Sequence, residues 1–443
     1  MKKISYLLFA LIAMFVITNV YAAEVNTKDA LISCVAADGT CTLSDDIVLS
    51  TGLEIAKDVV LDLNGHTITP ATTFSGDSLI IVLHGGKLTV KDSVGTGKIS
   101  TGMNEAVFVG IKMTKAGGDD TKKATLVVNS GTIEGYSFGI SGNGNPGRGN
   151  TEVVINGGVV KGLDDSSAGI FNPQIGAVEV NGGTVTGATG IEMRSGNLTV
   201  NGGLIEGTGE TRSVTPTGNG LTTIGVGIAV SQHTTKNVVA VTVNDGTVKG
   251  VSALYQTNTQ GNDAAAVSKV SVAVNGGKFE AEEGKEAVYS ENIDSFISGG
   301  EFSGEVPEEY LASEEIVTKE QEDGTVLIGL PHTITVKTVK NGKVTVDKVE
   351  AIAGEKVVIT ATADKGYKAD KLEVALVDPI EGVEVKVNNN SFVMPDADVE
   401  VSATFVKNVS NPATSDNFMM YAVLAIVSMT GLSVVALNRK RFN

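Results

Sequence analysis

Six phrases in the middle of the chain share one pattern: LVVNSGTIEG (126–135), VVINGGVVKG (153–162), VEVNGGTVTG (178–187), LTVNGGLIEG (198–207), VTVNDGTVKG (241–250) and VAVNGGKFEA (272–281). Each is an alternating apolar run, an Asn with a glycine-containing turn, and a second short alternating run. Alternation with period two belongs to strands and the Asn and Gly mark a sharp corner, so the unit reads as strand, corner, strand. The Asn residues stand at 129, 156, 181, 201, 244 and 275, in steps of 27, 25, 20, 43 and 31. A second phrase interleaves: FGI (138–140), AGI (168–170), TGI (189–191), VGI (226–228), ALY (253–255) and AVY (287–289). The distance from each Asn to the next such phrase is nearly constant in five of six cases, while the return to the following Asn varies.

A rigid stretch plus a variable loop, repeated every 20 to 30 residues or so, is what stacked coils produce. The expected fold is all-β: a right-handed parallel β-helix over residues 24–304, its loops leaving at one corner. The corner needs φ > 0, which Asn and Gly tolerate, and stacked Asn side chains can hydrogen-bond to one another along the axis. Segments 46–69, 79–100 and 106–113 read as less regular coils and FISGGEFSG (296–304) as a last one. About nine coils at about 4.8 Å each give a rod roughly 40 Å long. The 53 Gly then have a use as corners, with no G-X-Y period to suggest collagen. Open ends need caps, and the segment around Cys34 and Cys41 is placed to cover one.

The ends of the chain carry address signals. Lys2 and Lys3 precede an uncharged run from Ile4 to Val20 and then Tyr21-Ala22-Ala23, the layout of a signal peptide over 1–23 cleaved near Ala22 or Ala23; an uncleaved anchor is the alternative. Residues 418–437 are an uncharged stretch long enough to cross a bilayer, and Arg439, Lys440 and Arg441 in the tail 438–443 would stay cytoplasmic. Directly before stands Asn411-Pro412-Ala413-Thr414-Ser415-Asp416, within the linker 407–416. Pentapeptide, apolar helix and basic tail in this order resemble the C-terminal signal of Gram-positive sortase-dependent (LPXTG-like) surface proteins, with Asn411 in place of Leu and Ser415 in place of Gly. The resemblance implies that a sortase transpeptidase recognises Asn411, Pro412, Ala413, Thr414 and Ser415, cuts after Thr414 and joins it to a peptidoglycan precursor amine. Pro412 fixes φ and keeps its predecessor extended, as a cleft requires. The chain would then end in the cell wall, held by the membrane helix only before processing; a plain single-pass anchor is the alternative.

After Gly304 the composition changes. Residues 305–331 read as an acidic linker. Residues 332–406 resemble the divergent internalin-type B-repeat modules of bacterial surface proteins, through HTITVKTVKNGKVTV (332–346), AGEKVVITATADKGYKADKLEV (353–374) and FVMPDADVEVSATF (392–405). The resemblance implies a compact all-β spacer, in which Asn341-Gly342 is a hairpin signal.

The whole chain has 34 basic and 51 acidic residues, a net of −17. Removing five basic residues and Asp416 with the two ends leaves 29 against 50, a net of −21. This excludes a nucleic-acid binder, whose affinity comes from Lys and Arg. Cys34 and Cys41 are the only cysteines, and export makes a disulfide between them the favoured reading. Parallel β-helices include pectate lyases and polygalacturonases, so a wall-attached polysaccharide lyase or glycoside hydrolase is the alternative function. Such enzymes need a basic proton acceptor with Ca²⁺-holding carboxylates, or paired acids on one face. Asp164-Asp165 resembles the paired acids only superficially, since no Asn-X-Asp precedes it and no Gly-His-Gly or Arg-X-Lys follows. The mature Arg148, Arg194 and Arg212 lie near turns, and His66, His84, His233 and His332 have no partner at metal-ligand spacing. The expectation is no catalytic residue, metal or cofactor. With no Trp, an aromatic sugar platform is disfavoured, and Tyr136, Tyr255 and Tyr289 read as packing residues. Recognition of a host or cell-surface ligand is assigned to the inserted loops 141–151, 208–223 and 256–268.

Overall fold

The computed structural model describes residues 23–380 and 382–408. The signal peptide (apart from Ala23), Asn411–Ser415, the 418–437 span and the basic tail lie outside the described residues. Among the described residues no helix is long and apolar enough to cross a membrane. The chain divides into two compact units, one built from residues up to 331 together with Ile352–Gly354, and one from residues 332–351 and from 355 onward.

The first unit is a long parallel sheet wound into three walls, consistent with a β-helix. Strands in successive coils pair in register. Ala124–Val128, Thr151–Ile155, Gly176–Val180 and residues 196–200, 239–243 and 270–274 follow one another in the first wall. In the second wall Thr132–Gly135, Val159–Gly162, Thr184–Gly187 and residues 204–207, 247–250 and 278–281 do the same. The third wall contains Val109–Met113, Phe138–Ser141, Ala168–Asn172, Thr189–Met193, Val226–Val230, Ser252–Gln256 and Val288–Ser290. Because register is kept, each inward position becomes a column of aliphatic side chains. Val128, Ile155, Val180, Val200, Val243 and Val274 form one, and Ile111, Ile140, Ile170, Ile191, Ile228 and Leu254 another, all fully or almost fully buried. Each such burial is worth about 1.5–3 kcal/mol.

The corner between first and second walls is the fixed part of every coil. The glycine two residues after the Asn takes the left-handed conformation, with φ of +85° at Gly131, +76° at Gly158, +75° at Gly183 and +85° at Gly203. A Cβ on Gly158 would also lie 2.4 Å from the Gly131 carbonyl oxygen. The Asn residues of the six phrases do not share this conformation. Their role is the side chain. Nδ2 of Asn156 donates to Oδ1 of Asn129 at 2.9 Å, and the same bond recurs from Asn181 to Asn156 at 3.0 Å, Asn201 to Asn181 at 2.9 Å, Asn244 to Asn201 at 2.8 Å and Asn275 to Asn244 at 2.9 Å. Ser298 Oγ ends the ladder on Asn275 at 3.1 Å.

The variable loops leave at two corners rather than one. Loops 141–151 and 256–268 join the third wall to the first, whereas 208–223 joins the second wall to the third. The second phrase also shifts by one residue in its last two copies: Leu254 pairs with Ile228 and with Val288, so Ala253 and Ala287, not Leu254 and Val288, continue the row of Gly139, Gly169, Gly190 and Gly227. Small residues are required there because a Cβ on Gly227 would lie 2.6 Å from the Val248 side chain.

Both ends of the stack are covered. Helix Lys28–Val35 begins at Thr27, whose side chain accepts the Ala30 N–H, and buries Leu31 and Val35 in the core. Cys34 in the helix and Cys41 in the first-wall strand Gly39–Leu43 form a disulfide, with Cα atoms 6.0 Å apart. At the far end, residues 305–331 are not merely a linker. Val326–Gly329 pairs antiparallel with Gly300–Phe302, and Val317–Glu320 pairs antiparallel with Val326–Gly329. The acidic composition hid the buried Val306, Tyr310, Ile316 and Ile328, which close the core. An antiparallel hairpin offers the parallel stack no further template.

The second unit has a four-stranded sheet, in the order 350–351, 332–336, 399–407, 367–376, and a three-stranded sheet in the order 342–346, 356–363, 391–393. Ile334, Val344, Val357, Ile359, Phe392, Val399 and Val401 share its core. Asn341 is left-handed with φ +67°, yet the strands on either side of it enter different sheets, so Asn341-Gly342 does not make the expected hairpin.

Candidate functional site

The outward row of the third wall runs through Phe171, Glu192, Ala229, Tyr255 and Tyr289. Apolar and aromatic residues suit such a row when something covers them, and here a strap formed by residues 208–225 folds back over it. Leu221 and Ile224 of the strap pack on Phe138, Ala168 and Phe171, and the rings of Phe138 and Phe171 stack at 4.8 Å. Asn219 Nδ2 ties the strap to the Ser166 carbonyl at 2.8 Å.

Glu192 is the charged member of this row and is fully buried. Its carboxylate accepts the Thr222 N–H at 2.9 and 3.1 Å, the Thr222 hydroxyl at 2.7 Å and the Thr223 N–H at 3.2 Å. Successive backbone N–H groups make a concavity for an anion, so the strap closes on the carboxylate. Arg194 Nε lies 3.7 Å from Glu192 Oε1. Arg194 Nη1 donates to the Gly220 carbonyl at 2.7 Å and Nε to the Ser231 carbonyl at 3.3 Å. Burial pushes the Glu192 carboxyl above the usual carboxylate range, while Arg194 and the strap donors pull it back. Burial, and then the Arg194 charge, lowers the pKa of the neighbouring His233 imidazole.

Five buried side-chain polar atoms among the described residues have no hydrogen-bond partner: Gln174 Oε1, Arg194 Nη2, Ser195 Oγ, Thr223 Oγ1 and Thr257 Oγ1. All belong to the strap or to the corner between third and first walls. Unsatisfied polar atoms concentrate where a fold departs from packing logic, which marks this region as the candidate site. Arg212 of the strap lies 4.5 Å above the Tyr255 ring, which stacks on Tyr289 with centroids 4.6 Å apart. Its Nη1 donates to Ser252 Oγ and to Glu286 Oε2, both at 2.9 Å.

Other singled-out residues do not join this cluster. Asp164 accepts the Ser166 N–H at 3.2 Å in a turn and Asp165 is exposed. His66 faces Asp46 at 3.6 Å, His84 Nε2 bonds the Gly149 carbonyl at 2.9 Å, and His332 Nε2 lies 2.8 Å from Asp396. Tyr136 is half-buried. Arg148 offers its carbonyl to Thr114 Oγ1 at 3.0 Å. Of the three inserted loops, 208–223 serves as the strap. Sequence reasoning missed Glu192; its signal was a carboxylate in a row otherwise held by Phe171, Ala229 and Tyr255. No group of three or more His, Cys, Asp or Glu placed to hold a metal ion occurs among the described residues.

Residues 332–409 match the family model described as the divergent InlB B-repeat domain. No curated protein and no solved structure matches the chain.

Proposed function

We propose that this chain is a non-enzymatic surface protein of a Gram-positive cell wall, in which a right-handed β-helix is displayed as an adhesin or structural element. The B-repeat match at 332–409 carries the reading, because it ends two residues before the Asn411–Ser415 segment begins. In this reading the signal peptide exports the chain, a sortase transpeptidase joins Thr414 to a peptidoglycan precursor, and the 418–437 helix holds the chain in the membrane until then. The Asn ladder and the capped ends support it, since a non-catalytic display rod needs a stiff core and no free strand edges. The Glu192–Arg194 pair is assigned to holding the strap, its carboxylate being saturated by strap donors.

Two experiments test this. Thr414→Ala is expected to leave the chain in the membrane fraction; wall attachment of that variant would overturn the sortase step. Incubation with a panel of acidic and neutral polysaccharides is expected to yield no shortened products, and cleavage of any of them would replace the adhesin reading with a lyase or hydrolase.

A further inference from the structure

The residue directly before each of the six first-wall strands from Ala124 onward forms another row: Lys123, Asn150, Ile175, Ser195, Val238 and Lys269. Their successors Ala124, Thr151, Gly176, Gly196, Val239 and Val270 pair in register, so the row runs straight along the axis. The strand positions are joined by Ala177 opposite Asn197 in the middle. Five strand steps of about 4.8 Å separate Lys123 from Lys269 by about 24 Å. Gly176 and Gly196 bring no side chains, and a hollow of about 670 Å³ opens over them. Ile175 and Val238 stand in it, 56% and 53% exposed. Lys236 enters from the neighbouring loop, giving the hollow three Lys and no acidic lining residue on a chain of 51 acids and 34 bases.

Lys123 meets Glu152 at 3.0 Å and Lys236 meets Asp263 at 2.5 Å, while Lys269 donates to the Lys236 carbonyl at 3.3 Å. Exposed pairs of this kind are worth about 0–1 kcal/mol, so their ammonium groups exchange readily onto a ligand. The strands beside the middle of the hollow, Thr151–Ile155 and Gly176–Val180, are hydrogen-bonded on both sides. An extended peptide gains its affinity from a free strand edge, and none is offered here. A hydroxyl-rich chain needs none, since Asn amides bond its hydroxyls and the two aliphatic side chains take its C–H faces.

We infer that this hollow binds a linear, hydroxyl-rich polyanion along the solenoid axis, its anionic groups meeting Lys123, Lys236 and Lys269. The inference deepens the adhesin reading and rests on it for exposure outside the cell. Carboxylate, sulfate and phosphate polymers share the chemistry, so the test compares them. The purified full chain is titrated with polygalacturonate, dextran sulfate and polyglycerol phosphate, with uncharged dextran and polyglutamate as controls. Binding to at least one anionic glycan or polyol phosphate is expected, and it should weaken as salt is added. Lys123→Gln/Lys236→Gln/Lys269→Gln is expected to lose about tenfold or more in affinity, against about twofold or less for Lys57→Gln/Lys161→Gln/Lys285→Gln, which changes net charge equally. Should the first triple variant melt early, Lys269→Gln alone is expected to lose about threefold. No binding at low ionic strength, equal loss in both triple variants, equal affinity for dextran, or preference for polyglutamate would overturn the inference. Because the purified chain is used, failure here is separate from failure of the wall-attachment reading, which cell fractionation decides.

Discussion

Replacing Glu192 with Ala tests whether the buried carboxylate holds the strap. The change removes the acceptor of the Thr222 N–H, the Thr222 hydroxyl and the Thr223 N–H, and leaves the Arg194 guanidinium buried without its anion. Breaking a buried pair by deleting one partner costs about 3–5 kcal/mol. At about 1.4 kcal/mol per factor of ten, the population with the strap open should rise by about 10²-fold to several thousandfold. Arg212 sits in the strap, so an arginine-specific protease reads that population, provided the strap recloses faster than it is cut. Glu192→Gln keeps an acceptor of the same shape and is expected to raise cleavage after Arg212 by about tenfold. Glu192→Gln combined with Arg194→Met should be cut more slowly than Glu192→Ala, because no orphan charge remains. If Glu192→Ala leaves cleavage after Arg212 within about threefold of the parent, the carboxylate does not hold the strap and the energetic argument is wrong.

Asn181 donates to Asn156 and accepts from Asn201, so Asn181→Ala removes two ladder bonds; a loss of about 1–2 kcal/mol is expected in urea denaturation, and no change would show the ladder to be ornamental. Gly158→Ala meets both a left-handed backbone and the Gly131 carbonyl, whereas Gly284→Ala meets only the φ of +74° with open space around it. Gly284→Ala is expected to cost about 1–2 kcal/mol and Gly158→Ala clearly more; equal melting temperatures would contradict the steric account. Burial alone would raise the Asp62 carboxyl, but Lys91, the Ser93 and Asn64 N–H groups and the Ser93 hydroxyl outweigh it and hold it below the usual carboxylate range. A depressed folded pKa contributes stability above the unfolded value of about 4 that is lost as pH falls below it. Asp62→Asn should therefore flatten the acid limb of the stability curve, and an unaltered limb would refute the assignment.

The repeated phrases carried the fold because a coil is local. The alternating runs on either side of each corner marked strand, corner and strand, and the Asn at each corner announced the ladder that the structure contains. What stayed hidden depends on contacts between coils or on segments without a repeat. Thr222 and Thr223 meet Glu192 across 30 or so residues of chain, and no local pattern links them. The hairpin of Val317–Glu320 and Val326–Gly329 is masked by its acidic neighbours, since only a few inward residues such as Ile328 report burial. The row from Lys123 to Lys269 is invisible in the linear sequence because steps of unequal length separate its members; only register aligns them. Asn341-Gly342 misled for the opposite reason: the local turn conformation is present at Asn341, but tertiary pairing sends the flanking strands to separate sheets.

In the proposed reading the chain is joined to the cell wall through Thr414. Intact cells treated with a muralytic enzyme, and separately with detergent, should release the chain only in the first case, still carrying peptidoglycan fragments on Thr414. Release by detergent alone, with residues 418–443 still attached, would contradict wall anchoring.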